Sequence, residues 1–379
     1  MIVRHFLQWV RTAAAADRAD ATSALARAYL YSDLSRDDRI AAEGAMIMLL
    51  DDVSPLVRRA LAEALAFSPE APAPVILALA GDQPEIAAIV LERSPLLNDA
   101  DLVDMVGGGA AQIQIAIARR LDLPRSVAAA IAEVGCAEAC LTLAENEFAD
   151  IVPFSLARIV ERFGHLGAIR EAMFARAELP AAVRQTLVVK LTQALTGFVV
   201  ERAWIEESRA QRLAQEACEK ATIMLAGASD STQVRPLVHH LRESGQLTAG
   251  LVLRALLSGH TLLFEEALAE LADLPLPRVS AIIDDRSGAG LRALYDKAGM
   301  PPSMFPAVRA ALETRHEAGF LGDVAGNNRL KRRMVERVLT ACEDIAAADI
   351  EPLLTLLRRF ATEAAREEAR LFCEELAAA

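Results

Sequence analysis

Aromatic residues are scarce in this chain: phenylalanine, tryptophan and tyrosine together make up 4% of its 379 residues. Alternating β-branched and aromatic runs, the usual pattern of a strand, are almost missing. The hydrophobic residues, 53% of the total, are therefore mainly alanine, leucine, valine and isoleucine. Alanine and leucine favour helices, and small alanine side chains allow helices to pack closely. The composition predicts an all-α protein.

Cysteines and long apolar segments are also few. The five cysteines are scattered along the chain, and an odd, scattered set favours reduced thiols over a disulfide framework. No window contains the ~20 uninterrupted apolar residues that a membrane-spanning helix needs. Residues 1–11 contain no long apolar segment of the kind found in signal peptides. We therefore expect a cytoplasmic protein without a membrane span.

Basic residues are outnumbered by acidic ones. The chain has 40 Lys and Arg against 52 Asp and Glu, which gives a net charge of −12. Affinity for nucleic acids comes largely from basic side chains that neutralise phosphates. The charge therefore counts against DNA or RNA as a partner, although a local basic patch is compatible with it.

A short sequence pattern recurs with a period of 29 residues. Pro55 and Pro84 open two similar segments, and Ile115 follows Ile86 at the same interval in a weaker third copy. A period of this length is typical of an α-solenoid, in which each unit is a pair of helices. One unit cannot bury its own apolar face, so neighbouring units share one core. The period predicts a stack of antiparallel helix pairs.

Several segments carry a resemblance to known families. Residues 52–65 resemble the second helix of a HEAT-type repeat, and residues 82–86 resemble the start of the next one. The resemblance implies a HEAT-like helical protein and supplies no catalytic residues. Further segments resemble a bacterial family known only as a conserved domain of unknown function; they lie at residues 94–102, 115–120, 145–146 and 247–271. The resemblance as a whole covers about residues 35–315.

Proline, glycine and repeat boundaries divide the chain into four predicted parts. No proline or glycine occurs between Phe198 and Ala226, which predicts one helix of about 28 residues at the junction of two subdomains. The predicted parts are capping helices at 1–34, HEAT-like repeats at 35–197, a second helical subdomain at 198–320, and a linker with a C-terminal helical extension at 321–379.

Histidine patterns do not complete a metal site. His316 and Glu317 begin a zinc-protease motif, but the second histidine would fall at position 320, which is Phe320. Glu313 and His316 have the spacing found in di-iron bundles, which need a second such motif and two further carboxylates. We interpret these residues as part of a surface helix, and we expect neither a metal nor a cofactor.

Two closely spaced pairs also have ordinary structural interpretations. Cys136 and Cys140 are four residues apart, but no further ligands complete a zinc site, so we interpret them as core residues. Adjacent residues on a helix diverge by about 100°. We therefore expect one of His239 and His240 to be exposed and the other to be partly buried.

Residues 288–293 formally satisfy the Gly-x-Gly-x-x-Gly/Ala dinucleotide pattern. That pattern requires a preceding strand and a later acidic residue within a βαβ unit, and the neighbouring segments here look helical. We interpret Gly288 and Gly290 as parts of a turn between helices. Arg58 and Asp52 are interpreted as a structural pair of the kind that bridges neighbouring repeats.

The densest basic run lies at residues 329–337. Positive charge at the start of a helix is unfavourable with respect to the helix dipole, which hints at an acidic partner. Two alternatives stay open, a solvated or internally paired face and a binding patch. The candidate patch residues are Arg329, Lys331, Arg332, Arg333 and Arg337.

The sequence favours a non-catalytic scaffold that binds another, unidentified protein along the inner helices of its repeats. Two alternatives remain. A HEAT-like nucleic-acid-binding protein would have a continuous basic stripe, and an enzyme without a recognisable linear motif would have a pocket where titratable groups from several helices converge. Self-association is a further possibility, because the ends of a solenoid expose helices that must be capped or paired.

Overall fold

The computed structural model is helical throughout the part of the chain that it describes, where it contains no strand. This confirms the predicted all-α class. Contacts divide the chain into two compact units, Met1–Leu179 and Pro180–Ala379. The described residues are 9–10, 12–318, 333–338, 340, 354–355, 357–362, 365–366, 369–370 and 373.

The first unit contains eleven helices among its described residues. Local signals mark where some of them begin: α3 begins at Pro55, and Asn98 and Asp101 form a capping box at the start of α6. The helices are α1 (Ala15–Tyr31), α2 (Arg36–Leu49), α3 (Pro55–Leu65), α4 (Ala73–Ala80), α5 (Pro84–Arg93), α6 (Asp99–Gly108), α7 (Ala111–Ala118), α8 (Arg125–Val134), α9 (Ala137–Glu145), α10 (Pro153–Phe163) and α11 (Gly167–Ala175).

Helices that are two apart in the sequence pack against each other in the first unit. The odd-numbered helices α1 to α11 contact one another in succession, while α2 packs on α4, and α8 packs on both α6 and α10. Their facing side chains are almost completely buried, as Leu61, Ile86 and Ile117 show. Helices that are two apart in the sequence therefore bury apolar side chains against each other in the first unit.

Side chains from one helix pair cap the last turn of an earlier helix. The final carbonyl groups of a helix have no partner within that helix. Arg120, which follows α7, donates hydrogen bonds of 2.6 and 2.8 Å to the carbonyls of Leu91 and Ser94 at the end of α5. The Arg120 side chain is buried, and burial lowers the pKa of its guanidinium.

The same contact recurs further along the chain. Asn146, after α9, donates to the Ala118 carbonyl at 2.9 Å, which caps α7. Arg162, in the last turn of α10, donates to the Ala132 carbonyl at 2.7 Å, which caps α8. Arg176, after α11, caps α9 in the same way. Each donor lies about 29 residues, or one sequence period, beyond its acceptor. These contacts therefore join helices that are two apart in the sequence.

Arg58 also bridges neighbouring helix pairs, but its carboxylate partner differs from the prediction. The Arg58 guanidinium forms an ion pair with Asp82 at 2.6 Å and donates only to the backbone carbonyl of Asp52. The Asp52 carboxylate instead accepts two hydrogen bonds, of 2.7 and 2.8 Å, from Arg18. The Arg18 hydrogen bond, opposed by partial burial, lowers the pKa of Asp52.

The second unit begins with a hairpin of two long helices. Its described helices pack around a core that includes Phe264, Leu253 and Tyr295, all at most 1% exposed. They are α12 (Ala181–Glu201), α13 (Glu207–Ala228), α14 (Ser231–Glu243), α15 (Ala249–Leu257), α16 (Thr261–Ala272), α17 (Leu276–Asp284), α18 (Leu291–Lys297) and α19 (Phe305–Ala318), with a 3₁₀ turn at Pro302–Met304.

The single helix predicted from Phe198 to Ala226 is wrong. The chain turns between α12 and α13, where Ala203 has a positive φ of 53°. The Phe198 and Trp204 rings meet edge to face at 5.7 Å, and the Arg202 guanidinium lies 3.6 Å from the centre of the Phe198 ring. These contacts hold a turn that contains neither proline nor glycine.

The division between the compact units also differs from the predicted boundary at 197/198. It falls between Leu179 and Pro180, because α12 packs on α13 and α14. The described parts of the C-terminal extension are helical, and Met334 and Leu357 join the core of the second unit. The predicted linker at residues 319–328 lies outside the described residues.

We predict that Arg120→Met destabilises the first unit while Arg119→Met does not. The first change leaves two carbonyls at the end of α5 without their donor, at a cost of about 1–3 kcal/mol each. Arg119 is exposed, so its substitution controls for the loss of one positive charge. Chemical unfolding followed by circular dichroism measures the difference, and equal stability of the two variants would contradict the capping role.

We predict that Ala203→Gly stabilises the hairpin turn slightly, because glycine adopts a positive φ without the penalty of about 1–2 kcal/mol that an L-residue meets there. Ala221→Gly, in the interior of α13, is the matched control and should destabilise by about 1 kcal/mol. Thermal unfolding of both variants measures the two effects. A continuous helix through position 203 would instead make both substitutions destabilising.

Candidate anion-binding cleft

One described residue of the basic run at 329–337 is paired within the chain. Arg333 and Arg337 are exposed on a helical segment, and Arg337 forms an ion pair with Glu317 of α19. The Arg337 hydrogen bond lowers the pKa of Glu317. The other three candidates, Arg329, Lys331 and Arg332, lie outside the described residues.

A different group of basic side chains comes together in the second unit. They surround a cleft of about 830 Å³, and among the described residues of its lining Glu216 is the one acidic side chain. The eight basic residues of this cleft come from α13, from α15 and from the described residues beyond 353: Arg209, Arg212, Lys220, Arg254, Arg358, Arg359, Arg366 and Arg370.

Helical spacing places these residues on two facing surfaces. On α13, Arg209, Arg212, Glu216 and Lys220 are three or four residues apart, so they share one face of the helix. On the opposite side, residues 358, 362, 366 and 370 follow one another at intervals of four. The two faces bring together basic residues that are more than a hundred positions apart in the sequence.

Arg254 forms the inner wall of the cleft. Its side chain is 6% exposed and lies 3.3 Å from the Glu219 carboxylate. Its guanidinium also stacks over the Phe360 ring at 4.2 Å from the ring centre. Both contacts hold Arg254 in place, and the second one attaches the C-terminal helical segment to α15.

The cleft concentrates positive charge within an acidic chain. The described lining holds eight basic side chains and one carboxylate, whereas the whole chain carries a net charge of −12. Glu216 forms an ion pair with Arg359. Guanidinium groups bind carboxylates and phosphates through paired hydrogen bonds, so these side chains suit an anion.

The sequence contained a signal for part of this site. Arg358, Arg366 and Arg370 follow helical spacing, but residues 363–375 mix glutamate with arginine, a pattern typical of a solvated helical face. Arg209, Arg212 and Lys220 lie in the segment that was predicted as one long helix, where nothing local distinguishes them. Only the packing of the C-terminal segment against α13 brings the two sets together.

The other residues that the sequence suggested as candidate sites lie on ordinary helices and turns. The described residues contain no group of three or more side chains that could hold a metal ion. Glu313 lies 3.4 Å from Arg309 on α19, the helix that also carries His316. Gly288, with a φ of 65°, lies in the predicted turn, between α17 and α18.

The histidine pair agrees with its prediction. His239 is exposed and lies 3.1 Å from the Glu270 carboxylate, whose hydrogen bond raises the pKa of the imidazole. His240 is half-buried and lies 3.0 Å from the Thr186 hydroxyl, and desolvation lowers its pKa. Neighbouring imidazoles on one helix therefore meet different environments.

The two cysteines have separate structural roles. Cys136 occupies the N-cap of α9, where its sulfur accepts a hydrogen bond from the Ala139 amide at 3.4 Å. Cys140 is buried as predicted, and burial raises the pKa of its thiol to about 11.

Comparison with known proteins identifies one family. The model of a family described as an uncharacterised protein conserved in bacteria (DUF2336) matches residues 86–348. The match includes α13 and α15, while residues 355–370 of the cleft lie beyond it. No curated protein and no solved structure matches the chain significantly. No described helix is both long and apolar enough to cross a membrane.

We predict that Cys140 resists alkylation at about pH 8 in the folded chain, since a buried thiol with a raised pKa contains little of the reactive thiolate. Exposed Cys373 should react readily under the same conditions. Peptide mass spectrometry after iodoacetamide treatment compares the two rates, and unfolding in guanidinium should bring them together. Rapid labelling of Cys140 in the folded chain would show that it is not a core residue.

Proposed function

We propose that this chain, which belongs to the bacterial family just described, is a non-catalytic helical-repeat scaffold that binds an acidic region of a protein partner. The observation that carries the proposal is the cleft, whose described lining holds eight basic side chains and one carboxylate in a chain with a net charge of −12. The carboxylates of an acidic segment would bind guanidinium groups on both helical faces.

The HEAT-like part of the proposal is supported by the packing of the first unit. Its helices contact partners two positions away in the sequence, and donors such as Arg120 and Asn146 cap helices 28 or 29 residues earlier. Both features are expected when one two-helix unit is repeated along the chain. Binding is also supported by the chemistry of the cleft, whose lining pairs guanidinium groups with two threonine hydroxyls and Glu216.

A protein partner is favoured over a nucleic acid because the described residues of the cleft lining include no aromatic ring. Single-stranded nucleic acids are commonly bound by basic grooves in which bases stack on aromatic side chains. Phe360, the ring nearest Arg254, is already covered by that guanidinium. Nucleic-acid binding is nevertheless the second candidate, because eight basic side chains around one cleft would also neutralise phosphates.

Free thiols at Cys136 and Cys140 support a reducing compartment such as the cytoplasm.

We predict that the chain binds a fluorescent polyglutamate peptide and that the double variant Arg212→Glu/Arg366→Glu loses this affinity by more than about tenfold, or ~1.4 kcal/mol. The matched control, Arg278→Glu/Arg286→Glu, makes the same charge change at exposed positions of the second unit outside the cleft. It should bind nearly as well as the unchanged chain. Fluorescence anisotropy at several salt concentrations measures the affinities.

An oligothymidylate of equal charge tests the second candidate in the same assay. Tighter binding of the oligonucleotide than of the peptide, with the same loss in the cleft variant, would replace the protein-binding proposal by the nucleic-acid one. Equal losses in the cleft variant and in its control would show that the cleft is not the binding site. A chain that binds neither probe would contradict both functions.

A further inference from the structure

A second cavity in the same unit has a different chemical character. It measures about 440 Å³, a size typical of sites for small molecules. Its walls are α12, α13 and the chain between Leu241 and Leu251. Among the described residues, the lining contains no lysine, arginine or histidine, and Glu219 is its one charged side chain.

Three threonines in the lining can offer a ligand only hydrogen-bond acceptors. The hydroxyl groups of Thr192, Thr196 and Thr222 each donate at 2.8 Å to the carbonyl four residues earlier in their own helix. Each hydroxyl hydrogen is thus already used, and the oxygen lone pairs remain. Together with the Glu219 carboxylate, they make the cavity rich in acceptors.

The Glu219 carboxylate is held by contacts that are long for hydrogen bonds. Its Oε1 atom lies 3.3 Å from the Thr248 hydroxyl and 3.4 Å from the Gln215 amide nitrogen, and its Oε2 atom lies 3.3 Å from Arg254 Nε. The Glu219 side chain is 11% exposed. A closer cationic donor would therefore form a stronger contact with this carboxylate than those present now.

The lining also contains the amides of Gln193, Gln211 and Gln246 and a group of apolar side chains. Leu241 and Leu251 are buried, and Val189 and Ala214 line the walls beside them. A ligand that suits this surface has one cationic, hydrogen-bond-donating end and a short aliphatic body. We propose that the cavity binds a small organic amine, with its ammonium group on Glu219 and its aliphatic part against Leu241 and Leu251.

The thiol of Cys218 provides a reporter, because this residue lines the cavity and is partly exposed. The full chain is treated with iodoacetamide in the presence of butylammonium, butanol or butyrate at equal concentration, and labelling of Cys218 is followed by peptide mass spectrometry. Exposed Cys373 in the same sample corrects for consumption of the reagent. We expect butylammonium to slow labelling of Cys218 in a saturable manner, butanol to do so more weakly and butyrate not at all.

Two variants locate the contact. Glu219→Gln should weaken protection by butylammonium about tenfold, since it removes a charge-assisted hydrogen bond, and should leave the weak effect of butanol unchanged. Glu216→Gln, one turn earlier on α13, is the matched control, because Glu216 lines the cleft and not this cavity. It should retain full protection.

A third variant, Ala214→Phe, fills the cavity without removing Glu219 and should abolish protection in a chain whose melting temperature shows that it is folded. Equal protection by butylammonium and butanol, full protection in Glu219→Gln, or no saturable protection in the unchanged chain would each overturn the proposal. The cleft variant Arg212→Glu/Arg366→Glu should keep its amine protection, so failure of the proposed partner binding and failure of this proposal are distinguishable.

Discussion

Carbonyl groups at the ends of short helices set the main constraint on the first unit. Helices such as α5 and α7 are only two to three turns long, so a large share of their carbonyls lies in a last turn without internal partners. Arg120 and Asn146 supply the missing donors from the next helix pair. A buried carbonyl without a donor lowers the free energy of unfolding by about as much as several ordinary contacts raise it. The helix pairs therefore depend on their neighbours for polar groups as well as for apolar burial.

The second unit is organised differently, because two faces of α13 line two different sites, the basic cleft and the smaller cavity. One face carries Arg209, Arg212 and Lys220 toward the basic cleft, and the other carries Gln215 and Thr222 toward the smaller cavity. Helical geometry separates the sets, since residues three or four apart share a face.

A single ion pair lies between the two sites. Glu219 lines the smaller cavity, while its partner Arg254 lines the cleft and stacks on Phe360. Two carboxylates of the chain, Glu216 and Glu219, thus pair with Arg359 and Arg254 of the cleft. The convergence of eight basic side chains in the described lining is the physical basis for proposing an external anion there.

The sequence by itself determined the features that depend on neighbouring residues. Low aromatic content and abundant alanine and leucine predicted the helical class, and Pro55 and Pro84 marked helix starts, because backbone preferences act within a few residues. The 29-residue period lies close to the 28 or 29 residues that separate Arg120 and Asn146 from the carbonyls they cap. These predictions needed no knowledge of distant contacts.

Tertiary structure alone decided which distant groups meet. Arg58 pairs with the Asp82 carboxylate and not with that of Asp52, and the turn at Ala203 is held by ring contacts instead of by a helix-breaking residue. The cleft brings α13 against residues 355–370. Side chains so far apart in sequence have no fixed relation until the helices pack, so their electrostatic energy cannot be read from spacing along the chain.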